Sequence, residues 1–208
     1  MSAPITTSLT GEKRYSVWVA NRTNLYVLIA GVIIFIILAA LPFFGGTALT
    51  RRLVDFFTLL ALAELWNLMV GYAGLLSAGQ QGFIGIGSYV LWLFADKFGI
   101  HPFIAVIFAA IGGAIIALPA AALVFKLKGG YLAIGTWVIA ETLRLIVANI
   151  KSTGGGSGIT IQAASQLGTE TRVPGAYWWA LASALIAIAV TYLLLRSRTG
   201  LALKAMRD

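Results

Sequence analysis

Apolar runs of about twenty residues, closed by lysine and arginine, recur along the chain and match the length needed to cross a bilayer core. The first is Leu25 to Phe44, after a polar stretch over residues 1–24 that carries Lys13, Arg14 and Arg22. A cleaved leader has an apolar run of only about 7–15 residues, so this one predicts a retained first span. Phe56 to Ala95 holds a single acidic residue, Glu64, and no basic one, and is too long for one crossing at about 1.5 Å per residue. It must turn back within Gly71-Tyr-Ala-Gly-Leu-Leu-Ser-Ala-Gly-Gln-Gln-Gly82, which predicts spans near residues 54–71 and 81–95. Glycine tolerates backbone angles that a helix excludes, and Ser77, Gln80 and Gln81 can satisfy freed peptide groups. Pro102 to Phe125 is a fourth span, Gly129 to Ala148 a fifth, and Val173 to Leu195 a sixth.

The pattern therefore predicts an all-α fold: a polytopic transmembrane helical protein of about six spans with a glycine-rich broken-helix segment. Residues 1–24 form a cytoplasmic tail and residues 25–208 a membrane domain, with an outer loop near residues 150–172. With both ends in the cytoplasm, inner segments hold nine Lys and Arg residues and outer segments five, as the positive-inside rule requires. Arg51 and Arg52 are the exception.

Composition narrows the function classes. The chain is 60% hydrophobic and 11% charged, against about 25% charged in a soluble domain, so lipid is the expected solvent. There is no cysteine, and His101 is the single histidine, so metal chemistry and Ser/Cys-His catalysis are poorly supported, and no cofactor is expected. The net charge of +8 is spread over the edges of the apolar runs, so it reads as membrane orientation and not as a nucleic-acid face.

Charges inside spans are the first candidates for function. Glu64, Glu141 and Arg144 should face protein or water, because a charge at membrane depth is costly. Glu141 and Arg144 are three apart, hence neighbours on one helical face able to neutralise each other, either as a structural pair or in the solute route. Glu64 has no cation near it in its own helix and could pair across helices with Arg144. Gly71 to Gly87 holds six glycines in seventeen residues but lacks the Gly-Lys-Ser/Thr of a phosphate loop. Its candidate role is to expose backbone at membrane depth along a substrate pathway, through Gly74, Ser77, Gln80, Gln81, Gly82, Gly85 and Gly87. The small residues Ala109, Gly113, Ala117 and Ala121, with Ala110 and Ala114 beside them, predict a flat face for helix packing. Gly154-Gly-Gly-Ser-Gly158 predicts a flexible outer loop or a contact with a solute-delivering partner.

Four ordered blocks carry a family resemblance. Val70-Gly-Tyr-Ala-Gly-Leu-Leu-Ser-Ala-Gly-Gln-Gln-Gly-Phe-Ile-Gly-Ile-Gly-Ser-Tyr89 resembles the signature of importer permeases for branched-chain amino acids, of the LivM type. Leu127-Lys-Gly-Gly-Tyr-Leu-Ala-Ile-Gly-Thr136 with Glu141 beyond it, Thr153-Gly-Gly-Gly-Ser-Gly-Ile159, and Ser197-Arg-Thr-Gly-Leu-Ala-Leu-Lys-Ala-Met-Arg-Asp208 resemble later blocks of that family. The resemblance implies a bacterial inner-membrane importer in which this chain pairs with a second permease subunit. It also implies two cytoplasmic ATPase subunits, a periplasmic binding protein that delivers Leu, Ile or Val, and no enzymatic activity in the chain itself. The last block implies a coupling segment to the ATPase at residues 196–208, through Gly200, Lys204, Met206 and Arg207. Family members often have His where Gln80 or Gln81 stands, which keeps urea, short amides and other small solutes open as alternatives, with a channel as a further one. They also usually continue past such a segment, which implies that this chain is part of a longer permease.

Overall fold

The computed structural model describes residues 22–197 and Gly200. The expected tail over residues 1–21 and the coupling residues Lys204, Met206 and Arg207 lie outside the described residues. The chain divides into two units, residues 1–41 and 42–208. In the first, the described part belongs to α1 (Arg22–Phe44), which carries no charge from Leu25 onward.

The second unit contains α2 (Gly46–Asn67), α3 (Gln80–Trp92), α4 (Pro102–Val124), α5 (Gly130–Asn149), the short α6 (Gln162–Gln166) and α7 (Thr169–Arg196). Every regular element among the described residues is helical, as the all-α reading expected. Helices over residues 46–72, 102–124, 130–149 and 169–196 are long and apolar enough to cross a membrane, and Ile29–Phe44 is a shorter apolar helix. With residues 80–97 continuously helical, the order is compatible with about six spans.

Two helices begin earlier than their flanking charges suggest. α2 begins at Gly46, so Arg51 and Arg52 lie on its second turn and not in a loop, and α7 begins at Thr169, which places Arg172 on the helix. Arginine is a good helix former; a charge marks where a span meets the interface, not where the helix stops.

α2 and α3 end by the same device. Each closes in a wide turn with bonds five residues apart, Ala73 N–H to the Leu68 carbonyl at 3.3 Å and Phe98 N–H to the Leu93 carbonyl at 3.2 Å. A glycine then reverses the chain with positive φ, +66° at Gly74 and +67° at Gly99. The widened turn satisfies carbonyls that would otherwise be orphaned, and the left-handed position excludes a side chain.

Two packing surfaces build the core. α2 lies along α7, whose buried face of Val173, Tyr177, Ala180, Leu181, Ala184, Ala187 and Thr191 recurs every three or four residues. Phe57 meets Tyr177 edge to face at 5.7 Å between ring centres. α3 packs on α4 and α5, with Phe94 stacked on Phe108 at 4.6 Å. The expected small-residue face of α4 is half right. Ala109, Gly113, Ala117 and Ala121 lie on the partly covered side, whereas Ala110 and Ala114 are exposed. A close approach to α3 falls one position off the stripe, at Gly112, where a Cβ would stand 3.0 Å from both methyls of Val90.

The glycine-rich segment that follows α5 is ordered against that helix. Residues 151–156 form a tight helical turn, and Thr153 Oγ1 donates to the Val147 carbonyl at 2.7 Å. Beyond it, the Asp96 carboxylate at the end of α3 accepts the Gln162 and Ala163 N–H groups at 2.9 and 2.7 Å, capping α6 across 66 and 67 residues. Asp96→Ala is expected to destabilise this turn by about 1 kcal/mol, the value of a lost helix cap. Amide exchange across Gln162–Gln166 should quicken about fivefold while that in α7 stays unchanged; equal rates in the variant and the parent would mean that the cap contributes nothing.

Candidate functional site

The site grows from the break between α2 and α3. Non-helical backbone is confined to residues 73–79, a shorter stretch than the glycines of residues 71–87 suggest, and side chains meet several of its peptide groups. Ala78 N–H donates to Thr136 Oγ1 on α5 at 3.0 Å, and that hydroxyl donates onward to the Ala133 carbonyl at 2.9 Å. Trp66 Nε1 donates to the Ser77 carbonyl at 3.3 Å, and Gly79 N–H reaches Ser77 Oγ at 3.5 Å. A threonine from another helix thus does part of the work assigned above to Ser77, Gln80 and Gln81. In a membrane such backbone is tolerated only when protein or a water-filled cavity satisfies it.

The same contact sets how closely α3 and α5 cross. A Cβ on Gly79 would fall 2.6 Å from the Thr136 carbonyl oxygen, and one on Gly82 would fall 2.7 Å from Ala140 Cα. Both obstacles are backbone, so neither position admits a side chain unless the helices separate. Gly82 is helical, and its need for glycine is close approach and not special torsion. Gly85 and Gly87 are also within α3, each with open space where a Cβ would be.

Further along these two helices the crossing opens into a pocket of about 300 Å³. Gln81, Gly82, Gly85, Ile86 and Tyr89 come from α3, Trp137, Ala140, Glu141, Leu143, Arg144, Val147 and Ala148 from α5, and Gly156 from the glycine-rich segment. Arg144 and Glu141 pair in two-pronged fashion, Nε to Oε2 at 2.9 Å and Nη2 to Oε1 at 2.5 Å. Their side chains stay 62% and 42% exposed, so the pair is presented to the pocket and its mouth and not sealed in a core.

Three of the seven predicted pathway residues, Gln81, Gly82 and Gly85, therefore meet two of the three predicted charges, Glu141 and Arg144, in one cavity. The others do not join them. Gly74 terminates the wide turn, Gln80 opens α3, and Gly87 lies outside the lining. Ser77 lines a separate apolar cleft of about 190 Å³ with Phe83, Ala121, Phe125 and Thr136. Glu64 is half-buried on α2, and among the described residues no ion pair joins it to Arg144, whose partner is Glu141. Gly200, the one expected coupling residue among those described, is buried, and its N–H donates to the Ser197 carbonyl at 3.1 Å. Sequence reasoning missed Thr136, Ala140 and Asp96. The first two form a small-residue pair four apart, facing Gly79 and Gly82, a spacing that could have flagged the crossing.

Apolar helices of membrane-crossing length, interrupted by glycine-rich backbone beside a largely apolar pocket that holds an ion pair, mark a membrane-embedded protein. Residues 48–208 match the family described as branched-chain amino acid transport system, permease component, and the chain belongs to that family. It is 34% identical over 136 residues to the high-affinity branched-chain amino acid transport system permease protein LivM of Escherichia coli (strain K12), an alignment covering 62% of this chain and 31% of that relative. The protein of the same description from Salmonella typhimurium (strain LT2) is 35% identical over 99 residues, covering 45% of this chain and 22% of the relative. The chain thus spans about a third or less of the length of these curated relatives. No solved structure matches it.

Proposed function

We propose that this chain is a permease subunit of an ATP-driven importer in the bacterial inner membrane, and that it forms part of the route for leucine, isoleucine and valine. On this reading a second permease subunit completes the membrane domain, two separate cytoplasmic ATPase subunits drive it, and a periplasmic binding protein delivers the solute. The chain contributes helices, the break at residues 73–79 and the α3–α5 pocket, while ATP hydrolysis takes place in the partner subunits. Both of its ends face the cytoplasm.

The observation that carries the reading is the convergence of family membership over residues 48–208 with the pocket where the glycine-rich helix meets the Glu141–Arg144 pair. A pocket of about 300 Å³ with apolar walls and a few polar groups is at the scale of a small-molecule site. The test is uptake of radiolabelled L-leucine by cells that lack their own branched-chain carriers and express the complete gene set around this chain. Uptake that needs this chain, and that unlabelled isoleucine and valine compete away, is expected. Uptake of urea or a short amide in place of leucine would overturn the solute assignment.

A further inference from the structure

The Glu141–Arg144 pair has spare bonding capacity on both sides. A guanidinium has five N–H donors in a rigid fork and a carboxylate about four lone-pair sites, and the pairing uses only two of each. Arg144 Nη1 and the outer lone pairs of Glu141 remain open in a pocket whose walls include Ile86, Tyr89 and Trp137. Among the described residues this is the one ion pair between side chains, and it lies in the C-terminal half of a 20-residue apolar helix. A charged pair at membrane depth is expected to face protein or a water-filled route.

We propose that Glu141 and Arg144 recognise the zwitterionic head of a free α-amino acid passing through the pocket. Its ammonium docks at Glu141, its carboxylate at Arg144, and its apolar side chain lies along Ile86, Tyr89 and Trp137. This rests on the permease reading above and adds the atoms that do the selecting. The solute carries both charges on one carbon, so its dipole lies antiparallel to that of the pair, and each end meets its opposite. The empty site is already neutral, because the two residues compensate each other, and the filled site is neutral too. No uncompensated charge is left at membrane depth before or after the solute passes. The carboxylate gains a directional contact from the planar fork, which a lysine at the same position would not supply. Urea or a short amide lacks separated charges and would gain little from the pair.

Two measurements on the complete transporter test this. Glu141→Gln, Arg144→Gln and the exchange of the two residues, Glu141→Arg with Arg144→Glu, are each compared with the parent for L-leucine uptake at matched membrane levels. Each single variant should lower uptake more than about tenfold, as when one partner of a hydrogen-bonded charge pair is lost. The exchange rebuilds the ion pair but reverses the ends, and it should fail equally; uptake restored by the exchange would show a structural brace and overturn the proposal.

The second measurement leaves the pair untouched and so stands even where a variant fails to accumulate. The chain has no cysteine, so a single Val147→Cys places one thiol on the pocket wall. L-leucine at ten times its dissociation constant should slow maleimide labelling there about tenfold. Isoamylamine, which lacks the carboxylate, and 4-methylpentanoate, which lacks the ammonium, should not slow it at the same concentration. Equal protection by all three, or by none, overturns the proposal. Loss of leucine uptake in the unsubstituted transporter would instead remove the permease reading itself, so the two failures are distinguishable.

Discussion

Gly82→Val is expected to abolish uptake and to lower the melting temperature of the detergent-solubilised protein, with a cost of about 1–3 kcal/mol from overpacking. The added Cβ would lie 2.7 Å from Ala140 Cα and 2.8 Å from Ala140 Cβ, so relief requires α3 and α5 to move apart. That movement carries with it the Ala78–Thr136 hydrogen bond and the shape of the pocket, which both helices line. Gly85→Ala, on the pocket wall and with nothing within 4 Å of its Cβ, should melt with the parent. The contrast separates close approach from backbone torsion as the reason for glycine, since both positions are helical. Equal melting of Gly82→Val and the parent would remove the tight crossing.

A periplasm-active reporter enzyme fused after Gln162 should give full activity, and the same enzyme fused after Lys204 essentially none. The nine-to-five distribution of Lys and Arg predicts this orientation, in which the glycine-rich segment and α6 would lie outside. In that orientation the Gly156 end of the pocket would face outward, the side from which a delivered solute would enter. Arg51 and Arg52 oppose the bias, and their position on the second turn of α2 shortens the outer loop that would otherwise have counted them. The reverse pattern of activity would overturn the topology and, with it, the direction of entry.

Much of the architecture was legible because its causes are local. A run of apolar residues is long enough to span or it is not, and a three-residue spacing puts Glu141 and Arg144 on one helical face whatever surrounds them. The interruption between α2 and α3 was legible for the same reason, since Gly74 occupies a conformation that the residue type itself favours. Less legible were the exact limits of the break and of the helices, because glycine inside a helix and arginine on its first turns look alike in sequence whether they end it or not.

What the sequence by itself determined is the solvent, the helical class, the order of apolar segments, the place of the break and the pairing of Glu141 with Arg144 on one face. Only the tertiary structure decided that Gly79 and Gly82 press on Thr136 and Ala140, that Ala78 borrows a hydroxyl 58 positions away, and that Asp96 caps α6 across 66 residues. It also decided which glycines join the charged pair in one pocket and which do not. The physical reason is that helical period specifies which residues share a face, whereas which faces meet depends on how whole helices fit against one another. Side-chain volume, backbone approach and the need to satisfy every buried peptide group settle that fit together.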